Sequence, residues 1–453
     1  MASTDFSTMP AGGRSPRQRA KRASNSFWVL LLLLALVMPF YFHLGNFRVS
    51  PYRAYMLIAI IPVLLQWVRG AAGPIQAVDF LVIFASLLMA ISLFANHGIA
   101  KQWEFAGILI VETIAPYFIA RSLIRDISSF QKFVRSLFLI VVFLLPFAII
   151  ESFTGRKIIL DLFDVVFDVY KPANQEPRLG LNRAQVSTPH PILFGVFCSS
   201  AFALVWYTFG SNRSLFKKIR ESSVVGFAVF LSLSAGAFLG VIIQGFLIFW
   251  DEIFKKIKSR WSILAIGFFI IFTVLELASN RNAFQIIASE LTFSRSSGYN
   301  RILIFTHAKD DILNNPIFGI GFGWWTRPLW LRGSVDNFWL LMTLRYGLPV
   351  LFVFSSIYLI VIFKAIKTPL VGYASEVRTG YVISLIGIGL AAFTVHLWES
   401  AYCLFLFLLG SGVWLWNESG NEDSNPKTSS LGGDVGPRSG RANIRYTRFS
   451  KDT

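Results

Sequence analysis

Hydrophobic positions in this chain come in long unbroken blocks separated by short polar stretches, not in strict alternation or on one face of a 3.6-residue repeat. A continuous apolar run of about 20 residues crosses a hydrocarbon core about 30 Å thick as a helix. The blocks predict spans over residues 27–44, 52–68, 78–94, 103–120, 134–151, 190–209, 222–235, 237–250, 261–278, 337–363, 379–395 and 400–416. A transmembrane barrel would show shorter segments of alternating polarity. The expected fold is an all-α polytopic membrane protein of about twelve transmembrane helices. The seventh and eighth blocks are short, and LSLSAGAFLG (231–240) reads as a small-residue turn at membrane depth, making 222–250 a hairpin.

Charge then sets the orientation. Charged residues are 15 % of the 453, against about 25 % in soluble proteins, which excludes a soluble enzyme or a disordered scaffold. The formal net charge of +17 could suggest a nucleic-acid partner, but most of the positive residues flank apolar blocks, where they fix topology and meet anionic lipid. Residues 1–26 carry Arg14, Arg17, Arg19, Lys21 and Arg22. With this tail cytoplasmic and 222–250 a hairpin, Arg121/Arg125/Lys132/Arg135, Arg213/Lys217/Lys218/Arg220, Lys255/Lys256/Lys258/Arg260 and Lys364/Lys367/Arg378 all fall inside, as the positive-inside bias requires. The chain thus divides into the basic tail, spans one to nine over 27–278 with an outer loop at 152–189, a large outer loop at 279–336, spans ten to twelve over 337–416, and a Ser/Gly/Pro-rich tail over 417–453 expected to be disordered and cytoplasmic. Block 27–44 lacks a following small-residue cleavage site and reads as a first anchor. Cys198 and Cys403 lie within apolar blocks and carry no redox or metal signal.

The candidate chemistry sits in the two outer loops. The first ends PRLGLNRAQVSTPHP, with Arg178, Arg183 and His190 just before span six. Arginine offers a permanently charged planar fork that matches phosphate oxygens; the plainer role for such residues is contact with lipid headgroups, and His190 between two prolines suits a structural role. In the second loop Tyr299–Leu313 has helical spacing with Ile302, Phe305 and Ile312 near one face, as in a helix lying on a membrane surface. Arg295 and Arg301 lie around its start, where an anion would also meet free amides. Asn315-Pro316 should stop that helix. GIGFG (319–323) lacks the Lys-Ser/Thr of a phosphate loop and reads as a turn that lets backbone pack against span ten. Ser334 or Asp336 is a candidate N-cap for span ten; Asp336 could instead orient or deprotonate a sugar hydroxyl, although a helix N-terminus would lower its basicity. Within the membrane Glu104 and Glu112 share a helix face, and Glu112 could pair with an arginine or line a polar cavity. His396 and Glu399 form a possible polar pair, too few for a zinc site. HExxH, Walker A, GxSxG and CxxC are absent, which argues against a protease, ATPase or redox carrier.

From Ser294 to Phe352 the chain resembles the O-antigen ligase/polymerase family of bacterial polysaccharide assembly. The resemblance is carried by Arg301 with Phe305, Asn315-Pro316 before Gly319-Ile320-Gly321, Asp336-Asn337 with Trp339-Leu340, and Tyr346-Gly347, together with Arg183, His190-Pro191 and LSLSAGA upstream. It implies a GT-C-like, metal-independent, inverting glycosyltransferase without cofactor. The substrate would be an undecaprenyl-diphosphate-linked oligosaccharide at the periplasmic face of the inner membrane. It implies that Arg183 and Arg301 hold the diphosphate with help from Arg295, that Asp336 takes the place of the family's catalytic histidine with His190 as second candidate for hydroxyl activation, and that Arg178 and Glu112 support them. Family ligases carry His-Asn where this chain has Asp336-Asn337, which favours an O-antigen or exopolysaccharide polymerase over a ligase acting on lipid A–core. A chain-length regulator and a flippase of the same pathway are the expected protein partners, with membrane lipid and no nucleic acid. A lipid-linked oligosaccharide flippase is the non-enzymatic alternative; it should show cationic residues across both halves of the membrane interior and repeat symmetry, whereas the paired arginines here lie in outer loops.

Overall fold

In the computed structural model, residues 16–45, 47–173, 175–210, 213–278 and 295–417 are described. The described chain is a helical bundle of α1 (Pro16–Val37), α2 (Pro51–Val68), α3 (Ala77–His97), α4 (Ile99–Leu123), α5 (Ile127–Thr154), α6 (Ile158–Asp164), α7 (Pro191–Ser199), α8 (Phe202–Thr208), α9 (Leu215–Leu231), α10 (Ala235–Ile253), α11 (Arg260–Ala278), α12 (Arg295–Asn314), α13 (Phe338–Tyr346), α14 (Leu348–Lys367), α15 (Gly372–Ala391) and α16 (Glu399–Ser411). Among the described residues, eight stretches are long and apolar enough to cross a bilayer, with α7 and α8 counted as one and α16 continuing to Asn417. This is a polytopic membrane protein. The remaining expected spans fall on α1, α9, α11 and α15.

The bundle is not purely helical. The first apolar block leaves the helix at Val37, two residues before Pro39, and continues as strand β1 (Phe40–Leu44). It pairs antiparallel with β2 (Phe47–Val49) and β3 (Asp168–Val169), in the order β2-β1-β3. Strands this short carry no readable alternation, so the all-α expectation missed this cap.

Helices α4 and α16 run through the centre, and buried Phe130, Phe133, Phe405 and Phe407 fill the space around them. One end of the bundle, the basic end, is tied by polar contacts between short loops. Lys218 Nζ lies 3.7 Å from Glu252, Lys255 lies 4.0 Å from Glu376, Gln131 donates to Tyr373 Oη at 2.6 Å, and Lys364 donates to Gln76 at 3.0 Å. The Lys218–Glu252 contact brings the start of α9 beside the end of α10, so 215–253 is a hairpin whose turn, 232–234, reaches the other, loop-rich end.

The block read as span ten is two helices. Phe338 and Phe354 have ring centroids 6.0 Å apart, and Trp339 meets Tyr358 at 5.6 Å. In one straight helix residues sixteen apart would be separated by about 24 Å. The chain therefore folds back at Gly347, with α13 antiparallel to the first half of α14. Gly347 has φ +87°, and a Cβ there would lie 2.1 Å from the Ile317 carbonyl oxygen. The GIGFG run closes this bend: the amides of Ile320 and Gly321 donate to the carbonyls of Leu344 and Arg345, each at 2.9 Å. Those carbonyls sit at the α13 C-terminus, where helix geometry leaves them without a partner.

Candidate functional site: an arginine-lined cavity

Five segments of the chain meet at the loop-rich end. The first outer loop delivers Arg178, Arg183 and His190, and the α9–α10 turn delivers Ser234, Ala235 and Gly236. Helix α12 delivers Arg301 and Ile304, and residues 320–336 with the α15–α16 connection supply most of the remaining wall. They enclose a cavity of about 810 Å³. Close packing of glycine holds the parts together: a Cβ on Gly236 would lie 2.3 Å from Val395 Cγ1 and 2.6 Å from Thr394 Oγ1. The Phe338 amide, first of α13, donates to the carbonyls of Ala392 and Val395 at 2.8 and 3.1 Å.

Among the described residues, five arginines (178, 183, 301, 332 and 345) and one carboxylate, Asp336, line the cavity. Their formal sum, five minus one, is +4. Two of the arginines are held by one arm and left open on the other. Arg183 is 8 % exposed; its Nη1 donates to Gln175 Oε1 at 2.9 Å, and its buried Nε has no hydrogen-bond partner. Arg301 Nη2 donates to the Thr394 carbonyl at 3.1 Å, while its buried Nη1 has none. Arg178 Nη1 reaches the Leu233 carbonyl at 2.9 Å, tying the first loop to the hairpin tip. Burial lowers the Arg183 pKa to about 10, with Arg178 adding to the effect and Asp336 opposing it; Arg301 is shifted down for the same leading reason. Both remain charged at neutral pH. A desolvated cation with an unsatisfied N–H gains most from an anion that replaces its lost water.

Asp336 faces this cavity and is free of the capping role considered for it. Asn337 caps α13 instead, its Oδ1 accepting from the Leu340 amide at 3.0 Å. Nor is Asp336 made less basic. Desolvation raises its pKa above the ordinary carboxylate value, against the opposing pull of Arg301, Arg332 and Arg183.

His190 is the N-cap of α7: its Nδ1 accepts from the Ile192 amide at 3.2 Å. Burial and the nearby cations Arg183 and Lys157 lower its pKa to about 4, so the ring is neutral. With Nδ1 accepting, the single ring proton sits on Nε2. His190 therefore presents a donor and does not suit hydroxyl deprotonation. Arg295 opens α12, but its side chain lies outside the described residues. Glu112 is off the cavity, paired with Arg53 Nε at 2.7 Å and accepting from Tyr52 Oη at 3.2 Å. Arg332 and Arg345 were missed. A charged residue inside the apolar run 337–363 was the available signal for Arg345.

On the other side of α12 lies an apolar groove of about 770 Å³, walled by Ile302, Phe305, Ile312 and Leu313 and by Trp339, Leu340 and Leu359 of α13 and α14. The sequence stripe Ile302/Phe305/Ile312 thus faces a groove. Cavity and groove meet along the chain at Arg301/Ile302 and Asp336/Asn337.

The fold and this cavity define a multi-pass membrane protein with a strongly cationic, partly desolvated chamber beside an apolar groove. Residues 222–355, just under a third of the chain, match the family model described as O-antigen ligase, a family of polysaccharide biosynthesis. That family implies glycan transfer from lipid-linked substrates. The matched segment contains Arg301 and Asp336; Arg183 and His190 lie before it. No curated relative matches the chain.

Proposed function

We propose that this protein is a polysaccharide polymerase of the O-antigen or exopolysaccharide type. It would transfer a growing glycan from undecaprenyl diphosphate to a lipid-linked repeat unit at the periplasmic face of a bacterial inner membrane. The carrying observation is that Arg183 and Arg301, each with a buried nitrogen that lacks a hydrogen-bond partner, line one cavity that also holds Asp336. In this reading the two guanidiniums grip the diphosphate, and Arg178 and Arg332 add to the field. The isoprenoid tail runs in the apolar groove beside α12. Asp336 accepts the proton as an acceptor hydroxyl oxygen bonds to the anomeric carbon from the face opposite the leaving group. The carbon–oxygen bond to the diphosphate breaks, its electron pair leaves with polyprenyl diphosphate, and the new negative charge falls on preorganised cations.

The family description favours a second reading at the same site, a ligase that moves the finished glycan to lipid A–core or another acceptor. Asp336 in place of the ligase histidine supports polymerisation. Purified protein given polyprenyl-diphosphate repeat units, with chelator and without ATP, should form a ladder on a gel. Transfer only to lipid A–core would replace this reading with ligation, and lipid movement across vesicles without transfer would replace it with a flippase.

A further inference from the structure

A second recess of about 200 Å³ adjoins the arginine cavity and shares Phe322, Leu341, Arg345, His396 and Trp398 with it. Its electrostatics differ sharply. Arg53 and Arg345 face Glu112 and Glu399, so two cations and two carboxylates sum to zero where the main cavity carries +4. It also holds unsatisfied polar atoms: Glu399 Oε2 and His396 Nδ1 are both buried without a hydrogen-bond partner. Glu399 sits at φ +49°, a left-handed backbone that a non-glycine residue rarely adopts. Its other oxygen is 3.9 Å from Arg48 Nη2, beyond hydrogen-bond length.

We infer that this recess binds the sugar residue that bears the attacking hydroxyl of the acceptor glycan. A carboxylate oxygen needs a donor, and a neutral imidazole takes either a donor or an acceptor. Hydroxyl groups supply both. An anion would meet Glu112 and Glu399 and a cation would meet Arg53 and Arg345, so an uncharged polyhydroxylated ring is the class that fits. The donor's first sugar hangs from the diphosphate and must occupy the arginine cavity itself, which leaves this side recess for the acceptor. Phe338, only two residues from Asp336, lines the recess and places it beside the proposed base.

The inference rests on the transferase reading above, and the experiment separates the two. Full-length protein in nanodiscs is given two probes: undecaprenyl diphosphate, and the repeat-unit oligosaccharide released by mild acid from the lipid-linked pool of the producing cells. Glu399→Gln and His396→Asn should each weaken oligosaccharide binding, and raise the acceptor KM in the ladder assay, at least fivefold. Undecaprenyl diphosphate affinity should stay within twofold in Glu399→Gln, whose residue lines the recess and not the arginine cavity. Equal thermal midpoints for wild type and variants confirm the fold, and if one variant melts early the other reads the same quantity. Wild-type acceptor KM in the folded variants, or a fall in kcat alone, overturns the recess as an acceptor site while leaving the transferase reading intact. Failure of wild-type protein to bind undecaprenyl diphosphate or to transfer glycan would instead overturn the reading beneath it.

Discussion

Arg121 and the pair Arg183/Arg301 are all buried arginines of a membrane protein, yet they stand in opposite situations. At the basic end, Arg121 donates from Nε and Nη2 to the two oxygens of Asp79 at 3.0 and 3.1 Å, and to the carbonyls of Ala72 and Pro74 at 3.0 and 2.8 Å. Asp79, fully buried, also accepts from Trp67 Nε1 at 2.9 Å and from Tyr117 Oη at 2.7 Å. That network spends every strong bond on the fold itself. At the loop-rich end Arg183 and Arg301 line a shared cavity; each is anchored through one arm and keeps a buried nitrogen without a hydrogen-bond partner. Burial alone does not mark a functional cation. We propose that burial with unmet hydrogen-bonding capacity, on a side chain that lines a cavity, does.

The sharpest way to break this contrast is to remove one arginine of each kind. Arg301→Ala or Arg183→Ala should lower glycan transfer by about 10²- to 10³-fold, the usual cost of losing a single preorganised donor to a developing anion. Membrane-inserted protein should remain at wild-type level. Lysine should rescue poorly at either site because one ammonium cannot present a fork. Arg121→Ala should do the reverse, stranding the Asp79 carboxylate at a cost of about 3–5 kcal/mol and reducing the yield of folded protein in detergent. Full transfer activity in Arg183→Ala and Arg301→Ala would dissolve the distinction.

Asp336 offers the next largest effect. Asp336→Asn should reduce transfer by about 10²-fold or more, within the range for loss of a general base, while undecaprenyl diphosphate binding is retained or strengthened as the cavity loses its one negative charge. The pH profile follows from the raised pKa. The carboxylate is the active form, so the rate should fall as pH drops through a value above the normal aspartate range and level off above it. Asp336→Asn should flatten that limb. His190, neutral at all pH values well above about 4, should add no limb of its own.

The groove beside α12 tests whether head and tail sites belong to one substrate. Leu313 and Leu359 line it and are 62 % and 47 % exposed, so replacing them with serine leaves the packed core alone. Loss of about 1 kcal/mol of apolar contact at each position should raise the KM for an undecaprenyl donor about fivefold. A donor with a short tail that does not fill the groove should be unaffected.

Much of this arrangement was legible in the sequence, and what was not has identifiable causes. Uninterrupted apolar runs located the crossing helices, Asn315-Pro316 ended α12, and small residues at 231–240 marked the hairpin turn, because each signal is local. The fold-back at Gly347 is not local. Tyr346-Gly347-Leu348 sits inside a continuous apolar run, and only contacts from Ile317 and from GIGFG amides fix the bend. That bend carries Arg345 to the cavity wall. The arginines to watch could be listed from the loops, but their free nitrogens depend on partners such as Gln175 and Thr394 that no spacing rule connects to them. His190 shows the converse: between two prolines it suited a structural role, and one hydrogen bond from the Ile192 amide makes it the cap of α7.

The smallest predicted effect concerns the neighbour of Asp336. Asn337 caps α13 through the Leu340 amide, and this leaves the adjacent carboxylate available to the cavity. In Asn337→Ala the orphan amide loses its acceptor at a cost of about 1 kcal/mol, so folded protein should persist. Asp336 is then the nearest side chain able to take over the cap. If it does, it turns from the cavity toward the α13 N-terminus, whose partial positive charge lowers its pKa. The acidic limb of the pH profile should shift to lower pH, and the maximal rate should fall by a modest factor of about five, the equivalent of about 1 kcal/mol. Asn337→Asp, which caps equally well, should keep the wild-type rate within about twofold. A profile unmoved in Asn337→Ala would mean that the loop 331–336, and not the cap, holds Asp336 in place.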